Sequence, residues 1–209
     1  MGFGINEAKI WLASVNRKLQ EQKSYLTELD QAIGDGDHGL NMARGFKEVI
    51  NKVQQKSYDD LHSLFKETGM TLLSKVGGAS GPLYGTAFLK MASTMTGKAE
   101  ISVRELADGI AASLEGLIAR GKANIGDKTM LDIWEPALHY LQKNQEQVNW
   151  DEFMEFLEEK LEETKELEAK KGRAAYLGKR SIGHIDPGSA SSVILFNELA
   201  VAFKGVKKS

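Results

Sequence analysis

A short acidic and glycine-rich segment near the start of the chain carries residue types that could bind a metal ion. Asp35 and Asp37 alternate with Gly34 and Gly36, and His38 and a third glycine follow. Asp30 lies upstream. Carboxylate oxygens are the ligands that Mg²⁺ and Ca²⁺ prefer, and glycines let another group approach the backbone closely. Aspartate–glycine pairs are also ordinary turn residues, but two interleaved pairs beside a histidine favour a divalent-cation site. An EF-hand is excluded because Leu40 stands where its loop requires glycine.

Three further loops, 77–82, 121–130 and 176–188, are also glycine-rich. Helix N-termini and successive backbone N–H groups bind anions, so a helix that starts after such a loop can hold a phosphate. Aspartates beside a phosphate repel it unless a cation lies between them, which makes Mg²⁺ the expected mediator. Arg180, in the last loop, could stabilise the negative charge of a transferring phosphoryl group.

The second of these loops imitates a nucleotide-binding P-loop without matching it. Four residues separate Gly121 from Gly126, and Lys128 and Thr129 follow. A P-loop places its lysine directly after the second glycine and follows a strand. Here Asp127 intervenes and a helical segment precedes the loop, so we reject a P-loop site.

Hydrophobic periodicity predicts the elements that position these loops. Apolar residues recur at helical spacing in eight segments, the first of them broken near Lys23, and no segment alternates as a strand does. Ser57 with Asp60, Ser102 with Glu105 and Asn149 with Glu152 are helix-capping signals. We therefore predict an all-α fold, an up-and-down bundle in which alternate connections lie at the same end. The four glycine-bearing loops then converge on one rim, where we expect the ligand site.

Length and composition limit the class of protein. The 209 residues suit a single domain, 1–209, and a net charge of -2 gives no general attraction to nucleic acid or membranes. The absence of cysteine excludes disulfides and thiolate metal sites and fits a reducing cytoplasm. The N-terminus lacks a signal-peptide pattern, and no apolar run approaches membrane-spanning length. We expect a cytoplasmic protein that binds neither nucleic acid nor membrane directly.

Four sequence blocks resemble the signature of the nucleotide-binding domains of dihydroxyacetone kinases. In the family's order along the chain, they are Gly34–Gly39, Gly77–Gly85, Gly126–Asp132 and Gly183–Gly188. The resemblance implies a closed barrel of eight antiparallel helices and an ADP or ATP cofactor with two Mg²⁺ ions. It implies that Asp30, Asp35 and Asp37 bind the metal ions. The nucleotide contacts that it implies are His38, Gly39, Leu40, Asn41, Ala79, Ser80, Gly121, Met130, Arg180, Asp186, Pro187 and Gly188.

The resemblance also implies a reaction. The chain has the length of the nucleotide domain alone, and it resembles the L subunit type of the phosphoenolpyruvate-dependent kinases. There, bound ADP is rephosphorylated by the M subunit of a phosphotransferase system and passes phosphate to dihydroxyacetone on a K subunit, with Arg180 here as the catalytic group. Two alternatives stay open: a related kinase domain that exchanges ATP and acts on another substrate, and a regulatory module that reports its nucleotide state. A transcription regulator and a second copy of the chain are further candidate partners.

Overall fold

The computed structural model describes residues 2–206. Nine α-helices and one pair of two-residue strands form most of the regular structure in this range. Their bounds are β1 (Phe3–Gly4), α1 (Ile5–Glu21), α2 (Lys23–Ile33), α3 (His38–Val53), α4 (Leu61–Lys75), α5 (Ser80–Ser93), β2 (Glu100–Ile101), α6 (Val103–Gly121), α7 (Leu131–Lys143), α8 (Trp150–Glu163) and α9 (Pro187–Val206). Two 3-10 segments, Thr164–Glu166 and Arg173–Ser181, lie between α8 and α9. Within the described range, no helix is both long enough and apolar enough to cross a bilayer.

The helices form a closed ring. Each helix from α3 to α8 packs against the next one in the chain, and α9 returns to pack against α1, which contacts α3. Helix α2 follows α1 after the single residue Gln22 and packs against α3 and α9. Counted as one broken helix, α1 and α2 complete a barrel of eight. The predicted all-α fold is therefore confirmed, and the break lies beside Lys23 as expected.

Aromatic side chains fill much of the barrel interior. The rings of Trp11, Phe65 and Phe88 contact one another, with centroids 5.7, 5.9 and 6.0 Å apart. Elsewhere in the core, the rings of Phe3 and Phe203 stack with centroids 4.6 Å apart. Burying one large apolar side chain stabilises the fold by about 1.5–3 kcal/mol. This burial holds the amphipathic helices in the ring and so fixes where their ends lie.

The two rims of the barrel differ in how their helix N-termini are satisfied. Helices α4, α6 and α8 start away from the glycine-rich loops, and the side chains of Asp60, Ser102 and Asn149 accept backbone N–H groups there. Helices α3, α5 and α7 start at the other rim. Their N-cap residues, all in the described range, make no side-chain capping hydrogen bond. Because the N–H groups at a helix start carry partial positive charge, the second rim is suited to an anion.

Two expectations about elements are corrected. The prediction of no strand is wrong, because β1 and β2 pair antiparallel over two residues each. Such a pair is too short to produce a visible alternation in sequence. The helix start assigned to Ser57 together with Asp60 belongs to Asp60 alone, whose Oδ1 accepts the Ser63 N–H at 2.9 Å.

Candidate functional site

A cavity of about 780 Å³ opens at the rim where α3, α5, α7 and α9 begin. Its wall is built by the α2–α3, α4–α5 and α6–α7 connections and by the segment that precedes α9. These are the four glycine-bearing loops whose convergence the sequence predicted. The first residues of the four helices, His38, Ser80, Leu131 and Pro187, all line the cavity. Its volume is typical of a small-molecule site.

Three carboxylates meet at one side of this cavity. One oxygen from each of Asp30, Asp35 and Asp37 lies within 4.8 Å of the other two. Asp30 is buried, and its Oδ2 accepts the backbone N–H groups of Asp37 at 2.8 Å and His38 at 3.1 Å. The α2–α3 turn therefore wraps around Asp30. Clustered carboxylates repel one another unless a cation neutralises them, and hard oxygen ligands suit Mg²⁺.

The turn requires glycine at position 34. A Cβ atom on Gly34 would lie 2.1 Å from Oδ1 of Asp30. The Gly34 N–H group also donates to the Asp30 carbonyl oxygen at 2.5 Å, which ends α2. A side chain at this position would displace the Asp30 carboxylate, so the glycine allows the backbone to fold tightly against it.

Behind the carboxylates, His38 begins a buried series of hydrogen bonds. Its Nδ1 lies 3.0 Å from Ser80 Oγ and its Nε2 lies 2.9 Å from Ser191 Oγ. Ser191 Oγ in turn lies 2.7 Å from the Tyr84 hydroxyl. Burial lowers the pKa of His38, although the neighbouring carboxylates oppose that shift. The series ties the starts of α3, α5 and α9 together through a neutral imidazole.

Elsewhere in the cavity wall, the buried Lys128 lies near two buried carboxylates, those of Asp132 and Asp186. Lys128 Nζ donates to two main-chain carbonyl oxygens after α8, at 2.7 and 3.1 Å, and burial lowers its pKa. Burial also raises the pKa of Asp132, and it raises the pKa of Asp186 to about 7. Asp186 Oδ2 accepts the Ser189 N–H at 2.6 Å and thereby caps α9. Lys128 is thus held by protein oxygens, unlike the lysine of a P-loop.

Apolar side chains form another part of the wall. They come from α5, α6 and the α6–α7 connection: Pro82, Leu83, Leu117, Ala123 and Met130. The carboxylates come from the α2–α3 turn, so charged and apolar parts of the wall are contributed by different elements. A ligand with a charged group and a flat apolar ring would find complementary surface for both.

Two arginines of the segment before α9 are placed differently. Arg173 lines the cavity, and its Nε lies 2.8 Å from Oδ2 of Asp35. Arg180, the predicted catalytic residue, is exposed and lies outside the cavity lining. Sequence reasoning missed Arg173 because its contact joins residues from distant parts of the chain. The structure therefore brings Arg173, rather than Arg180, to the carboxylates.

Most residues predicted to contact a nucleotide lie at the cavity wall. They are His38, Ala79, Ser80, Gly121, Met130, Asp186, Pro187 and Gly188. Four others lie outside the lining: Gly39 packs against the α2 backbone, Leu40 is 53% exposed, Asn41 accepts a hydrogen bond from Arg44, and Arg180 is exposed. The contact of any of these residues with a nucleotide stays a prediction. Tyr84, Leu117 and Lys128 line the cavity but were not predicted as contacts.

Comparison with known proteins identifies the family. The model of the DAK2 domain matches residues 32–201. The ADP-binding subunit DhaL of phosphoenolpyruvate-dependent dihydroxyacetone kinase 1 from Listeria innocua is 50% identical over 189 residues, 90% of this chain and 92% of that subunit. The DhaL subunit of Escherichia coli is 43% identical over 199 residues, 93% of this chain and 95% of that subunit. The crystal structure of the C. freundii dihydroxyacetone kinase in complex with AMP-PNP and Mg²⁺ matches with a TM-score of 0.70 and 25% identity, over 93% of this chain and 33% of that chain. By sequence and by fold, this chain belongs to the DAK2 domain family.

Proposed function

We propose that this chain binds ADP or ATP with Mg²⁺ in the rim cavity and relays phosphate to dihydroxyacetone. The phosphate donor is the M subunit of a phosphotransferase system, and dihydroxyacetone is held by a separate K subunit. The observation that carries the proposal is the meeting of three carboxylates and four helix starts at one cavity. Helix N-termini attract phosphates whereas carboxylates repel them. A nucleotide phosphate paired with Mg²⁺ suits both groups, because the helix N-termini attract the phosphate and the carboxylates bind the cation.

Asp30, Asp35 and Asp37 would hold the metal, and we propose two ions. These three residues fit Mg²⁺ because they offer carboxylate oxygens, the ligands that Mg²⁺ prefers, within 4.8 Å of one another. Asp30 is already oriented by two backbone N–H groups, so its carboxylate needs little rearrangement to bind. When bound, Mg²⁺ neutralises charge on the phosphate oxygens and on the transferring phosphoryl group.

The rest of the wall suits the nucleotide. The His38 N–H group is held by Asp30, but the rest of the first turn of α3 and the start of α5 at Ser80 offer N–H donors to the phosphates, because within the described residues the N-cap residue of neither helix makes a side-chain capping hydrogen bond. The apolar wall around Met130 and Gly121 would hold the base, and the α9 start at residues 186–188 closes that side. For Gly39, Leu40 and Asn41 we propose contact through the first turn of α3.

The chain would position phosphate without becoming phosphorylated itself. Ser80 lies 3.0 Å from His38, but the other ring nitrogen of His38 contacts the Ser191 hydroxyl and not a carboxylate. That arrangement lacks the acidic partner that orients a histidine as a general base. Phosphoryl transfer requires chiefly alignment and charge neutralisation. The acceptor hydroxyl, and any base acting on it, would come from the K subunit.

A single-turnover assay tests this proposal. Loaded with ATP and Mg²⁺, the isolated chain should leave dihydroxyacetone unphosphorylated. Addition of the K subunit should yield one burst of product per bound ATP, and sustained turnover should require the phosphotransferase donor. Efficient product formation by the isolated chain, or recovery of phosphohistidine from it, would contradict the proposal.

Arg180 is proposed as the residue that stabilises the transferring phosphoryl group once the K subunit has docked. It lies on the exposed segment before α9, where an approaching partner can meet it. Arg180→Ala should slow the burst more than it weakens nucleotide binding. Lys179→Ala, which removes a neighbouring exposed cation, is the matched control and should leave the burst rate near that of the unaltered chain.

A further inference from the structure

Residues 170–180, which we term the strap, lie at the mouth of the cavity. The base of the strap is fixed: the Ala169 N–H group donates to Ser181 Oγ at 2.9 Å, and both residues are buried. Ser181 Oγ donates to the Gly178 carbonyl oxygen at 2.7 Å, and the Lys170 N–H group donates to the Asp127 carbonyl oxygen at 3.0 Å. Residues 171–174 of the strap line the cavity.

Two glycines bracket residues 173–177, the middle of the strap. Gly172 has φ +64° and ψ -161°, and Gly178 has φ +54° and ψ -129°. Residues with a side chain rarely adopt these conformations, whereas glycine does so readily. The strap can therefore turn at two points without moving its fixed base. Tyr176, between the glycines, is 89% exposed, so it contributes little to holding the strap in place.

One side chain fastens the middle of the strap to the opposite side of the mouth. Arg173 Nε lies 2.8 Å from Asp35 Oδ2, and within residues 2–206 this is the only salt bridge between the strap and the α2–α3 turn. Both side chains are partly exposed, at 69% and 38%. A carboxylate has about four lone-pair sites, so Asp35 can accept from Arg173 and still offer an oxygen to a cation.

We propose that Arg173 is a positioning residue that holds the strap across the cavity mouth by binding Asp35, and that this contact slows the release of bound nucleotide. The inference rests on the proposed nucleotide site and adds a role for a residue that no motif indicated. The bond between Arg173 and Asp35 must break before the strap turns at Gly172 and Gly178. A nucleotide phosphate in the cavity then leaves only from the unfastened state.

The first experiment needs no nucleotide. Hydrogen exchange of the backbone amides of residues 172–178 is measured in the unaltered chain, in Arg173→Gln and in Lys179→Gln, an exposed strap residue outside the cavity lining. Exchange in this segment should be faster in Arg173→Gln alone, while the amides of α3 to α9 keep their protection. Equal exchange in all three proteins would overturn the proposal.

The second experiment measures dissociation of a fluorescent ADP analogue in the presence of Mg²⁺ by chase with unlabelled ADP. Arg173→Gln should release the analogue about fivefold faster, the upper range for an exposed ion pair. Arg173→Lys, which keeps the charge, should recover part of the difference. An unchanged release rate in Arg173→Gln, or the same increase in Lys179→Gln, would contradict the proposal. Failure of the unaltered chain to bind the analogue would instead contradict the proposed function and leave the exchange result to decide the role of Arg173.

Discussion

Asp30, Asp35 and Asp37 differ in environment although they share one cluster. Asp30 is buried and bonded to two backbone N–H groups, so it holds the turn as well as facing the cavity. Asp35 is bonded to Arg173, and Asp37 is half-buried at the start of α3. Substitution of Asp30 would disturb folding and binding together. Asp37 is the residue at which metal binding can be tested with the least structural change.

Asp37→Asn should weaken binding of Mg²⁺ and of nucleotide together. The substitution removes one negative ligand but keeps the shape of the side chain, so the helices should persist. We expect an affinity for ADP with Mg²⁺ at least about tenfold lower, the lower end of what metal-site changes cost. Isothermal titration measures this affinity, and circular dichroism checks the helices. Asp59→Asn, at an exposed position away from the rim, is the control, and equal affinity in both variants would mean that Asp37 only shapes the turn.

The buried Asp186 should make stability depend on pH. An aspartate in an unfolded chain ionises near pH 3.9, whereas burial raises the pKa of Asp186 to about 7. Between these values the folded protein binds a proton that the unfolded chain has released, so this group makes the free energy of unfolding fall as the pH rises from 4 to 7. Asp186→Asn, whose amide oxygen can still cap α9, removes that dependence.

Urea unfolding without nucleotide, at pH 5 and pH 8, measures the effect. The free energy of unfolding of Asp186→Asn, minus that of the unaltered chain, should be higher at pH 8 than at pH 5 by an amount on the order of 1–4 kcal/mol. Asp108→Asn, an exposed control on α6, should show no such change. A constant difference for Asp186→Asn would show that Asp186 is ionised throughout this range, and a gain of the same size in the control would show that the effect does not belong to Asp186.

Local spacing made some of these residues predictable and hid others. Asp35 and Asp37 lie in one short turn, and Asp30 ends the helix before it, so the cluster was visible in sequence. Arg173 reaches Asp35 only because α8 and α2 end at the same rim. Lys128 resembled a phosphate-binding lysine in sequence, but its ammonium group is bonded to carbonyl oxygens of a distant segment. Side-chain partners of this kind depend on tertiary packing.

At the scale of elements, the close packing of α2 against α3 positions the turn between them. Gly39, in the first turn of α3, faces the α2 backbone: a Cβ atom on it would lie 2.1 Å from the Lys23 carbonyl oxygen and 2.8 Å from the Thr27 nitrogen. Because these are main-chain atoms, they cannot rotate away as the end of a flexible side chain can. The absence of a side chain at Gly39 is therefore what lets the two helices approach each other.

Gly39→Ala should destabilise the protein by separating α2 from α3. Overpacking of this kind costs about 1–3 kcal/mol, and the melting temperature should fall by about 5 °C. Gly205→Ala is the matched control, because Gly205 lies in α9 with open space around it. There, alanine should be neutral or stabilise by up to about 1 kcal/mol. Thermal unfolding without nucleotide compares them, and equal melting temperatures would refute the role given to Gly39.

The elements were largely predictable because each helix carries its own signals. The capping box at Ser102 and the cap at Asn149 appear in the structure as the sequence indicated. Strands β1 and β2 were not predictable, because each has two residues and its partner lies far away in the sequence. The segment before α9 was expected to be a loop and instead contains 3-10 turns, Arg173–Ser181. Its shape depends on contacts with α2 rather than on periodicity.

At the scale of the whole molecule, the order of the helices determines where the chemistry lies. In an up-and-down barrel, alternate connections share a rim, so four loops from distant parts of the sequence meet at one cavity. At the opposite rim, side chains cap the starts of α4, α6 and α8. At the cavity, the N-cap residues of α3, α5 and α7, all within residues 2–206, make no side-chain capping hydrogen bond, and α9 is capped by Asp186. The fold therefore concentrates positive helix ends and negative carboxylates in one place.

The most direct test of the account is the dependence of ADP binding on Mg²⁺. After removal of any bound nucleotide, isothermal titration with ADP is carried out in Mg²⁺ and again in excess chelator. We predict one ADP per chain in Mg²⁺ and binding weaker by at least about a hundredfold without it, because three carboxylates then repel the phosphates by several kcal/mol. Equal affinity under both conditions, or no binding under either, would contradict the claim that the carboxylates and helix starts form one metal–nucleotide site.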